Sequence, residues 1–379
     1  MKKILGYFLF LWILKSPWMV RKLVPLLVLS LFLASCTGGN LPPKEQSLLL
    51  VGPEYEVILL SNWRTPKEKK ETLSPPFFDD KTYQTLINGG TRLLSLSPNG
   101  NWEIKPLGGG TPQKGDFQGK VSLALNHARD KALVQVQEGG SLKYLIWDLK
   151  TNQMESWTPS LPQTFGEQKA VMGYMALEGD LIAIVTQGST GTYHLWTISG
   201  SEAHHLFQLP DIVKPVSQLF RPSGGPMGRL LSISPDRNWC VLIASLPGMG
   251  TLYFIINCKQ GQRYTEFWPE HIAPSIHNIF WSSDSLHLLV SSEMQDGSGF
   301  SFLFNLPPTK KEQLNDLAFW VSEDWLLLYH TAPPGEVAFP PVEATLRSIS
   351  SGEEVKVDLS DYIGILDVLP GVLGKQSTP

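Results

Sequence analysis

Residues Arg229–Phe267 read RLLSISPDRNWCVLIASLPGMGTLYFIINCKQGQRYTEF, which is four short apolar runs separated by turn residues. The runs are Leu230–Ser234, Trp239–Leu246, Leu252–Asn257 and Arg263–Phe267. Runs of this length that are rich in branched and aromatic side chains and bounded by Pro, Gly and Asp are typical of strands joined by tight turns. The stretch therefore predicts one small four-stranded antiparallel sheet.

The same run-turn-run pattern recurs along the chain. Its six starts are Leu48–Leu60, Val121–Gln137, Met172–Thr186, Leu230–Leu246, Ile276–Val290 and Leu317–Tyr329. Their spacing centres on roughly 40–50 residues, which is typical of propeller blades, and no long apolar stripe of helical period competes with them. The sequence therefore predicts an all-β fold, a six-bladed β-propeller of four-stranded antiparallel blades.

The predicted organisation is a signal peptide at residues 1–35, a flexible tether at 36–46, the propeller at 47–370 and a tail at 371–379. The six blades are expected near residues 47–107, 119–157, 170–208, 228–268, 275–308 and 314–360.

Two expectations concern the first blade. Its second pair of strands is expected at Arg92–Leu96 and Trp102–Leu107, displaced by an insert at Asn62–Gly90. Because a propeller closes by joining its first and last blades, Leu48–Val51 or Ile363–Leu369 is expected to complete a neighbouring sheet.

Three turns carry a resemblance to a known family. Ser234–Arg237 (SPDR) and Ser97–Gly100 (SPNG) resemble the SPDG turns of TolB-like and WD-repeat-like propellers, and Ser282–Ser285 (SSDS) is a degenerate copy. The resemblance implies a six-bladed envelope or secreted protein that acts by binding other proteins. It brings no shared catalytic residues.

The N-terminus predicts export. Residues Met1–Ser35 contain five Lys or Arg, no acidic residue and two short apolar runs, and the second run leads into Leu33-Ala34-Ser35-Cys36. This segment resembles a bacterial lipoprotein signal, in which Cys36 becomes the first mature residue and carries the lipid. Translation from Met19 would give a complete, shorter signal. Several acyl chains would hold the protein stably on the extracytoplasmic side of the outer or the cytoplasmic membrane.

The net charge excludes one class of partner. Removing the five signal cations from the 31 Lys and Arg leaves 26 against 35 Asp and Glu, a balance of −9 for the mature chain. Because binding to phosphate backbones requires a basic surface, we expect no nucleic-acid partner. A cationic patch for anionic lipid is not expected either.

Cys240 and Cys258 are predicted to form a disulfide. If Gly248-Met249-Gly250 is a three-residue hairpin loop, residues whose numbers sum to 498 face each other, which would place the two cysteines directly opposite. Disulfides persist in exported proteins. The alternative is a pair of buried thiols.

No metal, cofactor or catalytic residue is predicted. Asp296–Gly299 is interpreted as a hairpin turn rather than a calcium loop, and no Gly-x-Ser-x-Gly elbow or Lys-Ser/Thr phosphate loop occurs. No His-x-x-x-His or Cys-x-x-Cys spacing occurs, and adjacent His204 and His205 would point to opposite faces of a strand. The eight histidines are scattered over separate repeats, at His127, His194, His204, His205, His271, His277, His287 and His330.

Tryptophans are the remaining signal. Trp147 and Trp196 occupy equivalent positions in their repeats, which predicts packing between blades, whereas Trp63 is the candidate for an exposed contact.

The function predicted is a non-catalytic, lipid-anchored module that binds an envelope protein, with a small-molecule ligand not expected. The alternatives are an enzyme with a channel-centred metal or acid site, as in lactonase-like hydrolases, and a carbohydrate-binding envelope protein.

Overall fold

The computed structural model describes residues 48–52, 56–60, 70–74, 83–215, 230–269, 276–293, 299–308, 310–330, 342–362 and 364–368. Within these residues the secondary structure is β-strands and one 3₁₀ turn, Gln163–Phe165. The first fifteen strands are β1 (Leu48–Val51), β2 (Val57–Leu60), β3 (Lys70–Ser74), β4 (Tyr83–Ile87), β5 (Arg92–Leu96), β6 (Asn101–Pro106), β7 (Gln113–Asp116), β8 (Lys120–Leu125), β9 (Lys131–Glu138), β10 (Ser141–Asp148), β11 (Gln153–Trp157), β12 (Gln168–Glu178), β13 (Leu181–Gly188), β14 (Tyr193–Ser199) and β15 (Glu202–Gln208).

The remaining strands are β16 (Lys214–Pro215), β17 (Leu231–Ile233), β18 (Trp239–Leu246), β19 (Gly250–Asn257), β20 (Arg263–Pro269), β21 (Ile276–Trp281), β22 (His287–Glu293), β23 (Gly299–Asn305), β24 (Lys311–Leu314), β25 (Leu317–Trp320), β26 (Trp325–His330), β27 (Val342–Ser348), β28 (Glu354–Leu359) and β29 (Gly364–Val368).

These strands form seven antiparallel sheets, the blades of a β-propeller. Blade 1 has the order β29-β1-β2-β3, and blades 2, 3 and 4 are β4–β7, β8–β11 and β12–β15. Blade 5 is built on β18-β19-β20, with β16 and β17 both paired to β18, and blades 6 and 7 are β21–β24 and β25–β28. The prediction of an all-β propeller with four-stranded antiparallel blades is confirmed.

The predicted number of six blades is wrong. The expected first blade at 47–107 contains strands of two sheets, because β3 and β4 lie within the expected insert and β4 pairs with β5. The outer strand of the second sheet, β7, reads QKGD and is mostly exposed, so hydrophobicity gives no sign of it. Gly115 in β7 lies against the Trp102 ring, where a Cβ would clash.

The two ends of the propeller close the ring on each other. β29 pairs with β1 in the register Leu48 with Val368 and Val51 with Gly364. The expectation is met by the C-terminal segment, since β29 completes the sheet of blade 1, whereas β1 (Leu48–Val51) lies in the sheet of its own blade. Blade 1 therefore takes its first strand from the C-terminal end and its other three from the N-terminal end.

The antiparallel order gives the propeller two faces. The entry face carries the turns between first and second strands and between third and fourth strands, such as residues 126–130 and 149–152 in blade 3. The cleft face carries the turns between second and third strands, such as 139–140, and the connections between blades, such as 158–167. Leu48 lies beside Val368 at the entry face, so the described fold begins there.

Turns on the entry face are linked from blade to blade. The Asn88 N–H donates to the Arg129 carbonyl at 3.2 Å between blades 2 and 3, and the His127 N–H donates to Glu178 Oε2 at 2.7 Å between blades 3 and 4. Further links are the Arg237–Asp180 ion pair, the Asp236 N–H to Ser285 Oγ at 3.0 Å and Ser283 Oγ to Glu323 Oε1 at 3.2 Å.

Two of the three family-like turns have the same internal bonds. In one, Ser234 Oγ donates to Asp236 Oδ1 at 2.6 Å and accepts from the Trp239 N–H at 2.9 Å. In the other, Ser282 Oγ donates to Asp284 Oδ1 at 2.6 Å and accepts from the His287 N–H at 2.9 Å. The third turn, at residues 97–100, instead joins the second and third strands of blade 2 and lies on the cleft face.

Large aromatic side chains fill the spaces between blades. Trp147 and Trp196 are completely buried on the third strands of blades 3 and 4, as their equivalent sequence positions predict. Trp147 packs against Trp102 of blade 2 with 4.8 Å between ring centroids. Burying these rings away from water is the main stabilising contribution between sheets.

The disulfide between Cys240 and Cys258 is present, with 6.2 Å between the Cα atoms. The predicted register is wrong, because Leu246 pairs with Gly250 and Cys240 therefore faces Ile256. Cys258 follows β19, where its N–H donates to the Asn238 carbonyl at 2.8 Å. The bond thus joins the start of β18 diagonally to the residue after β19.

Removing residues 363–379 should abolish cooperative unfolding. This truncation deletes β29, exposes the edge of β1 and removes buried Ile365 and Val368 from the core between blades 7 and 1. Urea unfolding followed by near-ultraviolet circular dichroism measures the effect. A chain that ends at Gly371 keeps β29 and is the matched control. Equal midpoints for the two chains would contradict the closure.

Reducing the disulfide should lower the free energy of unfolding by about 3 kcal/mol, the value expected for a loop of about 17 residues. The measurement is the urea midpoint of the protein with and without reductant. The double variant Cys240→Ala/Cys258→Ala serves as control, since its midpoint should not respond to reductant. Alkylation of both thiols after unfolding without reductant would contradict the bond.

Candidate functional site: a cleft between blades 3 and 4

The candidate site is a cleft of about 950 Å³ on the cleft face, between blades 3 and 4. One side is formed by β10, the end of β11 and the turn at Gly140, and the other by the start of β12 and Gln187 at the end of β13. The connection at residues 158–167 supplies the remaining wall. Its volume falls within the roughly 300–1,000 Å³ typical of ligand pockets.

Two aromatic side chains form the blade 3 wall. Tyr144 and Trp157 face each other across β10 and β11, and their rings meet edge to face with centroids 5.4 Å apart. Buried Gln135 donates from Nε2 to the Tyr144 hydroxyl at 3.2 Å. Burial raises the pKa of the Tyr144 hydroxyl, more than this bond lowers it. Tyr144 is thus neutral and fixed in orientation.

The polar part of the lining consists mainly of amides and amines. Gln137, Gln163, Gln168 and Gln187 supply donors and acceptors. The ionisable residues other than Tyr144 that line the cleft are Lys143 and Lys169, and Lys143 also forms a 2.5 Å ion pair with Glu138 outside the lining. The lining residues include no carboxylate, so the cleft suits neutral or anionic groups.

A chain of side-chain hydrogen bonds crosses blade 4 from β14 to the start of β12 and the 3₁₀ turn before it. Trp196 Nε1 donates to Thr186 Oγ1 at 2.8 Å, and Thr186 Oγ1 donates to Gln168 Oε1 at 2.7 Å. Gln168 Nε2 in turn donates to the Phe165 carbonyl at 2.8 Å. The chain connects a buried tryptophan of blade 4 to the 3₁₀ turn in the cleft wall.

The Phe165 side chain packs on a pair of histidines in blade 4. Its ring centroid is 4.5 Å from that of His205, 5.5 Å from that of His194 and 5.1 Å from that of Trp196. His194 Nδ1 and His205 Nε2 are hydrogen-bonded at 3.1 Å, and His194 Nε2 lies 3.0 Å from Thr192 Oγ1. Desolvation lowers the pKa of both imidazoles, and the neighbouring His194 lowers that of His205 further.

The histidine pair is a feature that the sequence interpretation missed. The expectation that His204 and His205 point to opposite faces is confirmed, since His204 is exposed beside Glu202 and His205 packs inward. Its contact with His194 depends on the pairing of β14 with β15, which has an irregularity between Leu195 and Trp196. Trp196 pairs with His205, and His194 lies two residues before Trp196 on the same face of β14. Predicting the register of this hairpin from the sequence would therefore have placed the two histidines together.

Other residues singled out from the sequence are not brought into the cleft. His287 Nδ1 lies 3.0 Å from Asn305 Oδ1 in blade 6. Among the described residues, no three or more His, Cys, Asp and Glu side chains are arranged to hold a metal ion. The predicted lipid-attachment residue Cys36, Trp63, His271 and most of the predicted turn at Asp296–Gly299 lie outside the described residues. A channel-centred metal or acid site stays a prediction.

No helix among the described residues is long and apolar enough to cross a bilayer. No protein-family model matches the sequence. A search of curated proteins found no match.

Solved structures do resemble the chain. A candidate 6-phosphogluconolactonase from Bacteroides uniformis superimposes with a TM-score of 0.51 at 12% identity, covering 86% of this chain and 99% of the other. A protein from Lactobacillus plantarum gives a TM-score of 0.50 at 13% identity with the same coverage. TolB from Acinetobacter baumannii gives 0.38 at 10% identity, covering 83% of this chain and 79% of TolB. At these identities the likeness shows the fold alone.

The strand order defines the class of protein. The chain is a seven-bladed β-propeller that carries an amide- and aromatic-lined cleft between two blades. Because propellers host many unrelated functions, the function has to be argued from the cleft.

Proposed function

We propose that the protein is a membrane-anchored envelope lipoprotein whose propeller binds an extended segment of a protein partner in the cleft between blades 3 and 4, without catalysis. The observation that carries the proposal is the lining of the cleft. Aromatic rings supply contact area at low conformational cost, and side-chain amides supply paired donors and acceptors. This combination suits a polypeptide, whose backbone presents N–H and C=O groups in alternation.

The arrangement of the lining supports recognition of a partner. Trp157 is half-buried and packs on Tyr144, so its position is fixed before a ligand arrives. Preorganised aromatic side chains are the usual anchors of binding interfaces. Gln137 and Gln187 stand exposed on opposite blades, where both can reach a segment lying between them.

A photoreactive amino acid at position 169 should crosslink to the partner in intact cells. Lys169 lines the cleft and is exposed. The matched control is the same substitution at Lys131, which is exposed at the start of β9 on the entry face. Mass spectrometry of the crosslinked products identifies the partner. Equal labelling of the same protein from both positions would contradict binding in the cleft.

Trp157→Ala should weaken partner capture by roughly 30-fold, because loss of a central aromatic anchor typically costs about 2 kcal/mol. The measurement is a titration of the crosslinked partner against the variant. Lys131→Ala should bind as the unmodified protein does. Thermal unfolding of both variants separates lost contact from lost fold, since Trp157 lies in an outer strand.

Cys36→Ser should move the protein from the membrane fraction to the soluble fraction, because the acyl chains are the proposed anchor. Cys240→Ser is the matched control, since it replaces a cysteine of the disulfide and leaves the proposed lipid site intact. Cell fractionation followed by immunoblotting gives the result. A Cys36→Ser protein that stays with the membrane would contradict lipid anchoring.

Envelope carbohydrate is the second candidate ligand. Aromatic rings beside amides also suit sugars, whose apolar faces stack and whose hydroxyls bond to amides. A pull-down on purified cell-wall glycan separates the two ligands. Retention of the protein on glycan, lost in Trp157→Ala, would favour carbohydrate over a protein segment.

A further inference from the structure

One wall of the cleft is fastened to blade 4 through a histidine pair. Pro162, Gln163 and Gly166 line the cleft, while Phe165 turns away from it onto His194 and His205. We propose that this pair is a pH-sensitive latch: when neutral it holds Phe165 and the wall in place, and when protonated it releases them and widens the cleft. The proposal holds whatever ligand the cleft takes.

The latch depends on one shared proton. His194 Nδ1 and His205 Nε2 are 3.1 Å apart, so one of these nitrogens must donate and the other must accept. The second nitrogen of His194 lies 3.0 Å from Thr192 Oγ1, a hydroxyl that can donate or accept. Two neutral imidazoles therefore satisfy every contact of the pair.

Protonation changes this balance in two steps. A first added proton can be taken at an outer nitrogen, since the bond between the rings survives and the Thr192 hydroxyl can reverse its role. A second proton places N–H groups on both facing nitrogens, and two donors cannot remain at hydrogen-bonding distance. The rings, whose centroids are 5.2 Å apart, must then separate.

The surroundings favour the neutral pair. His194 is 5% exposed, and its ring neighbours are Phe165, Trp196 and His205. The other ionisable residues on the packed elements are Glu167 beside the loop, Lys169 and Glu178 on β12, Tyr193 on β14, and Glu202 and His204 on β15. The Tyr193 hydroxyl accepts from Gln187 Nε2 at 3.2 Å, and Glu178, at the far end of β12, accepts from the His127 N–H at 2.7 Å. The other four are exposed.

The attraction between the Phe165 ring and a charged imidazole opposes this preference, because it favours the protonated form. The Phe165 and His205 planes are inclined by 33°, which suits a cation over an aromatic face. This attraction favours the first proton on His205, the more exposed ring. It does not relieve the repulsion between two cations, and moving the rings apart removes the surface on which Phe165 packs.

The sign of the pH dependence follows from the direction of the shifts. Desolvation places the pKa of both rings below the usual 6.5, so the closed wall is fully held above that value. As the pH falls below 6.5, the open state binds more protons than the closed state. Acidification therefore releases the wall.

Hydrogen exchange with mass spectrometry tests the latch on the full chain without ligand. After correction for intrinsic rates, protection of residues 158–168 should fall about tenfold between about pH 7.5 and about pH 5, which lie on either side of the usual histidine pKa. His205→Gln cannot take up a proton at this position and should lose most of this pH dependence. Phe165→Ala should show low protection at both pH values.

His204→Gln is the matched control, because it removes the adjacent exposed histidine and leaves the pair intact. It should keep the pH dependence of the unmodified protein. Protection that does not change with pH in the unmodified chain, or changes equally in His205→Gln, would overturn the latch. The hydrogen-exchange measurements use no partner. A negative result in them therefore leaves the proposed binding function standing, and a failure of partner capture leaves the latch standing.

Discussion

The propeller depends on the pairing of β29 with β1. Every other blade is made from strands that follow one another in the chain, so it forms from contacts that are close in sequence. Blade 1 instead joins residues more than three hundred positions apart, Leu48 with Val368. Closing so large a loop costs more entropy than a hairpin does, but the cost rises only slowly with length. Once formed, the pairing removes the exposed edge of β1.

Two kinds of contact hold neighbouring blades together, namely apolar packing between the sheets and hydrogen bonds between turns on the entry face. Buried rings such as Trp147 pack one sheet on the next, without fixing how far each sheet slides past its neighbour. The turn-to-turn bonds on the entry face are directional, and they join consecutive blades from Asn88 to Glu323. The cleft face carries the connection between blades 3 and 4, and this leaves room there for a cleft between the two blades.

The sequence predicts this fold where strands are apolar and fails where they are polar. The runs in Trp239–Leu246 and its equivalents are buried central strands, and their periodic return reveals the architecture. The blade count fails because β7 has the polar sequence QKGD and because β29 belongs to a sheet at the other end of the chain. The disulfide pairing follows from the sequence, although its register does not, since the three-residue loop lies at residues 247–249 instead of 248–250 and this shifts every pairing partner by two residues.

The cleft was beyond sequence reasoning for a related reason. Gln137, Trp157 and Gln187 come from different strands, and nothing in their spacing indicates that they share one space. His194 and His205 differ in this respect, because they lie on one hairpin and meet through the pairing of β14 with β15. One connection, residues 158–167, contacts both the cleft and the histidine pair. Some of its residues line the cleft, while Phe165 packs on the histidines. A loop with two such surfaces can transmit a change in histidine charge to the width of the cleft, because moving one surface necessarily moves the other.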